Sequence, residues 1–305
     1  MDLAVSVFRL RLPATSANLG AAFDSAAVAL NLYLSIEAEA ADDYSISATG
    51  RDAELCSVLE DNLILETYKQ LLHREGKTAP PLAIRMENEI PLGMGCGSSA
   101  AGRLAAIALA VHFGGLGWTS EQILAEACAQ EGHPDNAAAC WLGGLVIAAC
   151  EGPKIHWARV EPPPAWCAIV VKPAHPVATS KARAVLPKEY SRADAVVNVQ
   201  AAALLGLAFA QGREDLVRPA MQDRIHQPYR GEICPLLPRL LPLAGRDGIL
   251  GAALSGAGPS VLLILSGVEA YSTALEEVER VLLGERDVEV LRVNFEPHGG
   301  AANRA

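Results

Sequence analysis

Three glycines set two residues apart, Gly93, Gly95 and Gly97, are followed at once by Ser98 and Ser99. They lie in residues 90–103, which read Ile-Pro-Leu-Gly-Met-Gly-Cys-Gly-Ser-Ser-Ala-Ala-Gly-Arg. Glycine at this density lets a backbone approach a ligand closely and take turns that a side chain forbids. The serines suit a helix start, and the Ala- and Leu-rich run to Phe113 carries the helix on. A helix start offers unpaired N–H groups and a positive end, which together make a seat for phosphate. The plainer alternative is a tight turn that opens a buried helix. Two nucleotide patterns are excluded. No Gly-Lys-Ser/Thr ends the loop, as a P-loop requires, and Ser98 stands where the dinucleotide fingerprint needs its third glycine. Cys96, inside the loop, reads as a small apolar filler.

Four further stretches gather polar groups. Residues 14–25, Ala-Thr-Ser-Ala-Asn-Leu-Gly-Ala-Ala-Phe-Asp-Ser, are either a turn in which Asn18 and Asp24 bond their own backbone or the polar mouth of a site. Residues 131–136, Glu-Gly-His-Pro-Asp-Asn, follow a helix that Pro134 should stop. They are a site candidate or an inert surface loop. Thr179 and Arg183 fall in a short segment ending at Pro187, where a solvated arginine is the bland reading. Residues 223–230, Asp-Arg-Ile-His-Gln-Pro-Tyr-Arg, end in Arg230.

These motifs together carry a resemblance. Pro91-Leu92-Gly93-Met94-Gly95-Cys96-Gly97-Ser98-Ser99-Ala100-Ala101 resembles the phosphate loop of the kinases of galactose, homoserine, mevalonate and phosphomevalonate (GHMP kinases). The loops at 18–24, 133–136 and 226–230 resemble those of the homoserine kinase family in particular. The likeness covers residues 13–260. It departs at Ala21 and Ala22, where the family has Pro-Gly, and at Met94 and Cys96. The two alanines should demand a more ordinary backbone.

The resemblance implies an α+β fold with an N-terminal domain like ribosomal protein S5 and a C-terminal ferredoxin-like domain. It implies ATP and Mg²⁺ as cofactors and phosphorylation of the L-homoserine hydroxyl, on the route to threonine. Residues 91–101 would hold the phosphates, and Asn62 would contact the adenine. Glu131 and Ser98 would hold the metal, with Glu126 as the second choice for the carboxylate. Asp24 and His133 would bind the substrate's ammonium end, Arg183 and Arg230 its carboxylate, with Thr179 beside them. Asn18 would orient the hydroxyl. Asn136 takes the place where mevalonate kinase carries its catalytic Asp, so transfer would proceed without a protein base. Relatives suggest a homodimer. The rivals are a GHMP kinase with another substrate and a binding or regulatory protein that lost turnover.

The elements that must position these residues follow from periodicity. Alternation predicts strands over 5–12, 28–38, 44–48 and 82–87. Asp61 is placed to cap a helix running to about Arg74, and Thr119 with Gln122 fits a capping box for a helix over 120–130. Residues 141–149 read as a strand after a turn. Pro162, Pro163 and Pro164 mark the domain boundary, giving residues 1–160 to an N-terminal nucleotide-binding domain and 161–296 to a C-terminal domain. In the second, strand–helix–helix–strand–helix–strand fits a split βαβ arrangement. The Gly- and Ala-rich end from Glu296 is expected to fray.

Composition bounds the rest. The 305 residues are 51% hydrophobic and carry a net charge of −10. That charge argues against nucleic acid as a partner. Seven scattered cysteines with no Cys-x-x-Cys pair suit a reducing compartment, and a cytoplasmic location is expected. No signal peptide is visible, and no apolar run is expected to cross a membrane.

Overall fold

The computed structural model describes residues 7–285 and 287–302. Val5 and Ser6, at the start of the first expected strand, lie outside them. β1 (Phe8–Ala17) runs antiparallel to β2 (Ala26–Ala40), with an irregularity at Pro13/Ala14. β3 (Ser45–Gly50), α1 (Ala53–Cys56), α2 (Leu63–Arg74) and β4 (Leu82–Asn88) follow. Then come α3 (Ser98–Phe113), α4 (Ser120–Glu131), α5 (Asp135–Leu142) and the hairpin β5 (Leu145–Glu151) and β6 (Lys154–Val160). The first sheet has the order β3-β4-β2-β5-β6, with β1 on β2. β2 is long enough to pair β5 near its start and β4 near its end.

A second sheet holds β7 (Cys167–Pro173), β8 (Ile249–Leu254), β9 (Val261–Leu265) and β10 (Val288–Asn294) in the order β10-β7-β9-β8. Between β7 and β8 lie α6 (Thr179–Ala184), α7 (Arg192–Gln211), α8 (Glu214–Ala220), α9 (Gln227–Arg230) and α10 (Leu237–Leu240). α11 (Tyr271–Val281) connects β9 to β10. This is the expected split βαβ order.

α3 is apolar on nearly every side and, but for Arg103, is buried from Ala100 to Val111, as such a helix must be. It is the axis of the larger core. One face of the second sheet (Val170, Leu262, Ile264) joins that core, together with Leu205 and Phe209 of α7. The opposite face (Ile169, Val171, Leu263) makes a separate core with Leu237, Leu240 and Val278.

Several expectations need correction. The cap of α2 is Asn62, not Asp61: its side chain accepts from the N–H groups of Ile64 and Leu65. α3 starts at Ser98 as expected, with Gly97 as its cap. The strand expected over 141–149 begins only at Leu145, and Trp141 and Leu142 instead end α5, a helix that was not expected. β6 was not expected. Residues 295–302, after β10, are tied to the body of the protein rather than frayed. Glu296 exchanges backbone bonds with Ala29 and Gly144, and Gly300 and Ala301 donate to Cys140 and Trp141. A side chain at Gly299 would collide with the Trp141 backbone and one at Gly300 with Leu12, so glycine there serves close packing. α7 is long and apolar enough to cross a membrane by length and composition, contrary to expectation, although Ala201, Leu205, Ala208 and Phe209 are buried within the protein.

Candidate active site

Gly93, Gly95 and Gly97 all have left-handed φ, 68°, 77° and 75°. A methyl group at Gly95 would meet the Ser255 carbonyl, and one at Gly97 the Thr15 hydroxyl. The loop is thus pinned between β1 and the turn after β8. Ser255 Oγ reinforces this, 2.7 Å from Gly95 O and 2.8 Å from Ser16 Oγ. Gly97 gives α3 no side-chain cap. The first N–H groups of the helix therefore face outward with the positive end of its dipole behind them, as anion binding requires. Cys96 is buried beneath the loop, and burial pushes its thiol up to about 12, which suits a filler and not a nucleophile. Met94 is buried beside it.

Gly93, Ser98 and Ser99 line two cavities at once. One, of about 450 Å³, is walled by α1, the start of α2 and the end of β4, with Leu55, Val58, Leu63, Met86, Ile90 and Leu92 among its residues. Leu55, Val58 and Leu63 are exposed there, an apolar rim without a cover. Asn62 lines this cavity, but its side chain is engaged within the chain. Besides capping α2, its Nδ2 donates to Val58 O at 2.9 Å and Cys56 O at 3.3 Å, tying α1 to α2.

The other cavity, of about 120 Å³, is polar. It gathers Asn18, Asp24, Glu131, His133, Asn136, Thr179, Arg183 and Arg230 around Ser98, Ser99 and Ala100. These are the residues expected from the polar stretches, brought together from four separate parts of the chain. Pro91, Leu92, Met94, Cys96 and Ala101 lie outside it. Glu126 is also outside, 2.8 Å from Arg74 and 2.7 Å from Gln130.

Local bonds fix each wall. Asn18 (φ 70°) accepts from Asp24 N at 2.9 Å and donates to Gly256 O at 2.8 Å, so it closes its own loop and ties it to the β8–β9 turn. Ala21 and Ala22 avoid the left-handed region, as two alanines should. Asp24 forms a two-pronged ion pair with Arg183, 3.0 and 2.9 Å. The group expected for an ammonium and a group expected for a carboxylate thus satisfy each other here. Arg230 is 1% exposed. Burial, and then the nearby Arg183, press against its charge and lower its pKa, so an anion in this cavity would relieve both guanidinium groups.

On the other side, Asp135 is 1% exposed, and its Oδ1 accepts from His133 Nδ1 (2.6 Å), Asn136 N (2.6 Å) and Asn136 Nδ2 (3.1 Å). Burial opposes charge on His133, but the Asp135 carboxylate outweighs it and the ring is raised above its ordinary pKa. Asn136 Oδ1 accepts from Thr15 Oγ1 at 2.7 Å. Asp135 was missed, although its place in the Glu-Gly-His-Pro-Asp-Asn run was the available signal. Arg103 on α3 donates to Glu131 Oε1 at 2.7 Å. Ser99, and not Ser98, donates to the same oxygen at 2.7 Å.

Comparisons with known proteins bear on this geometry. The family models "GHMP kinases N terminal domain" and "GHMP kinases C terminal" match residues 62–144 and 206–282. The chain belongs to the GHMP kinases and has their two-domain fold. A homoserine kinase of Solibacter usitatus is 42% identical over 307 residues, all of both chains. One of Deinococcus radiodurans is 42% identical over 255 residues, 84% of this chain and 83% of its own. Within the GHMP kinases, the chain is therefore a member of the homoserine kinase family. The crystal structure of homoserine kinase from Cytophaga hutchinsonii shares the fold, with a TM-score of 0.82 over 98% of each chain at 24% identity.

Proposed function

We propose that this protein transfers the terminal phosphoryl group of ATP to the side-chain hydroxyl of L-homoserine, giving O-phospho-L-homoserine for threonine biosynthesis. One observation carries this reading. A bare helix N-terminus opens into the same small cavity as two guanidinium groups, a carboxylate and a histidine. A sugar kinase has no use for paired arginines, whereas a free amino acid has one carboxylate and one ammonium to be held.

The apolar cavity would take the base and ribose, and the N–H groups at 93–99 the β- and γ-phosphates. When bound, Mg²⁺ would neutralise phosphate charge. Glu131 and Ser98 are suited to hold it, since both recorded bonds to Glu131 fall on Oε1 alone. Asp24 and His133 would take the ammonium, with Arg183 and Arg230 on the carboxylate and Thr179 beside them. A bound zwitterion would replace both halves of the Asp24–Arg183 pair at once. The hydroxyl then lies between Asn18 and the phosphate loop for in-line attack, a reaction governed by positioning and charge stabilisation. Asn136 offers no proton acceptor at neutral pH, and Asp135 Oδ1 is already engaged by three donors. The hydroxyl proton therefore leaves to a phosphoryl oxygen.

The seven unpaired cysteines support a cytoplasmic setting. The exposed Val196, Val199 and Leu207 on α7 offer a face for a homodimer. Coupled ADP release with MgATP tests the activity against L-homoserine, D-homoserine, L-threonine, L-serine, mevalonate and galactose. Strong preference for L-homoserine is expected. Preference for mevalonate or galactose would overturn the substrate, and nucleotide binding without turnover would favour a binding protein.

A further inference from the structure

A long, buried guanidinium points one way only if its donors are held. Arg230 donates from Nε to the Ala182 carbonyl at 3.0 Å and from Nη1 to Gly256 O at 3.2 Å. Its third partner differs in kind. Nη1 also lies 3.2 Å from Nδ1 of His226, a fully buried ring. A guanidinium has only donors, so Nδ1 is the acceptor and carries no hydrogen. The other ring nitrogen, Nε2, is 2.8 Å from the Gly20 carbonyl, which can only accept, so Nε2 carries the proton. The two contacts together select one tautomer of a neutral ring. Burial and the Arg230 charge hold His226 below its ordinary pKa, against the opposing pull of Asp223 at 3.6 Å. Phe23 stacks on the ring at 5.2 Å and lies 5.3 Å from the Arg230 guanidinium carbon.

The geometry has a consequence for the site. Gly20 belongs to the loop that carries Asn18 and Asp24, on the N-terminal side. Arg230 ends α9, on the C-terminal side. The imidazole is a rigid spacer between them. We infer that His226 is a positioning residue whose Nδ1 aims the Arg230 guanidinium at the substrate carboxylate. This rests on the reading of Arg230 as a carboxylate partner.

Two half-isosteres separate the ring's functions. His226→Asn retains an acceptor where Nδ1 stands, and His226→Gln retains a donor where Nε2 stands. Each is assayed with L-homoserine and with L-homoserine amide, which lacks the carboxylate. His226→Gln is expected to raise KM for L-homoserine roughly tenfold, to shrink the acid-over-amide preference by a similar factor, and to leave KM for ATP within about twofold. His226→Asn is expected to keep both the KM and the preference within about threefold of wild type. Equal losses in the two variants, or no loss in His226→Gln, would overturn the inference. Arg230→Ala, run alongside, tests the reading beneath it. If Arg230→Ala abolishes the acid-over-amide preference and His226→Gln does not change it, the inference about His226 fails alone. If Arg230→Ala leaves the preference intact, the carboxylate assignment fails and the inference with it. Should His226→Gln not fold, nitrogen NMR of the labelled wild-type protein decides. At pH 7 the inference requires His226 to be neutral with Nε2 protonated, and an Nδ1–H tautomer or an imidazolium would contradict it.

Discussion

The two cavities that meet at the phosphate loop are built on opposite principles. The larger is lined mainly by leucine, valine, isoleucine and methionine, and its two asparagines, Asn62 and Asn88, direct their bonds at the surrounding backbone. Such a pocket recognises area, at about 25 cal/mol per Å² of apolar surface covered, and no single residue dominates it. The smaller cavity is about a quarter of the volume, and its walls set charged and polar side chains among glycines. Two pairs of its charges are already matched, Asp24 with Arg183 and Asp135 with His133, while Arg230 is held by neutral groups. A charge-assisted hydrogen bond contributes about 1.5–3 kcal/mol, and leaving its partner unmatched costs at least as much. The contrast teaches that the small chamber should be selective and brittle, and the large one tolerant.

The most severe way to break this contrast is at the wall the two cavities share. Gly97→Ala combines a left-handed backbone with a collision at Thr15, so kcat/KM should fall by about 100-fold or more for both substrates. A variant whose two KM values moved apart would show that the loop does not serve both sides. Arg183→Ala comes next. It removes a two-pronged partner and leaves Asp24 unmatched, so KM for L-homoserine should rise between about 10-fold and 100-fold while the affinity for ATP holds. Asn136→Asp is more moderate. It would set a second carboxylate oxygen near 3.1 Å from Asp135 Oδ1, where both cannot stay ionised. Single-turnover rates should fall about tenfold, and a faster variant would mean that a base had been missing. Asn62→Ala, in the apolar cavity, should be mildest. Losing the α2 cap should lower stability by about 1 kcal/mol in thermal unfolding, with KM for ATP rising a few-fold and KM for L-homoserine unchanged.

Much of this was legible in the chain. Alternate glycines followed by serines imply a backbone cradle at a helix start, and the structure has one, with Gly97 as its cap. Alternating strands and the Thr119–Gln122 capping box fell where periodicity put them. Three things were hidden. α5 is short and alanine-rich, and the Gly143-Gly144 pair after it resembles a turn between strands, so only the tertiary setting reveals the helix. The C-terminal segment has the composition of a frayed end, yet Gly299 is there because the Trp141 backbone comes too close for a side chain, and Gly300 because Leu12 does. The Asp24–Arg183 pair spans 159 residues of sequence, and no local pattern connects positions that far apart. Polar residue types marked the candidate site, but which groups neutralise one another was decided by the folding together of the two halves.

The central claim, that the small chamber presents an amino-acid hydroxyl to ATP, is tested most directly by phosphorus NMR of the protein incubated with MgATP and L-homoserine. The account predicts a phosphomonoester on the homoserine side-chain oxygen, accumulating in step with ADP and absent without L-homoserine. ADP and inorganic phosphate alone, with no new phosphomonoester, would contradict it.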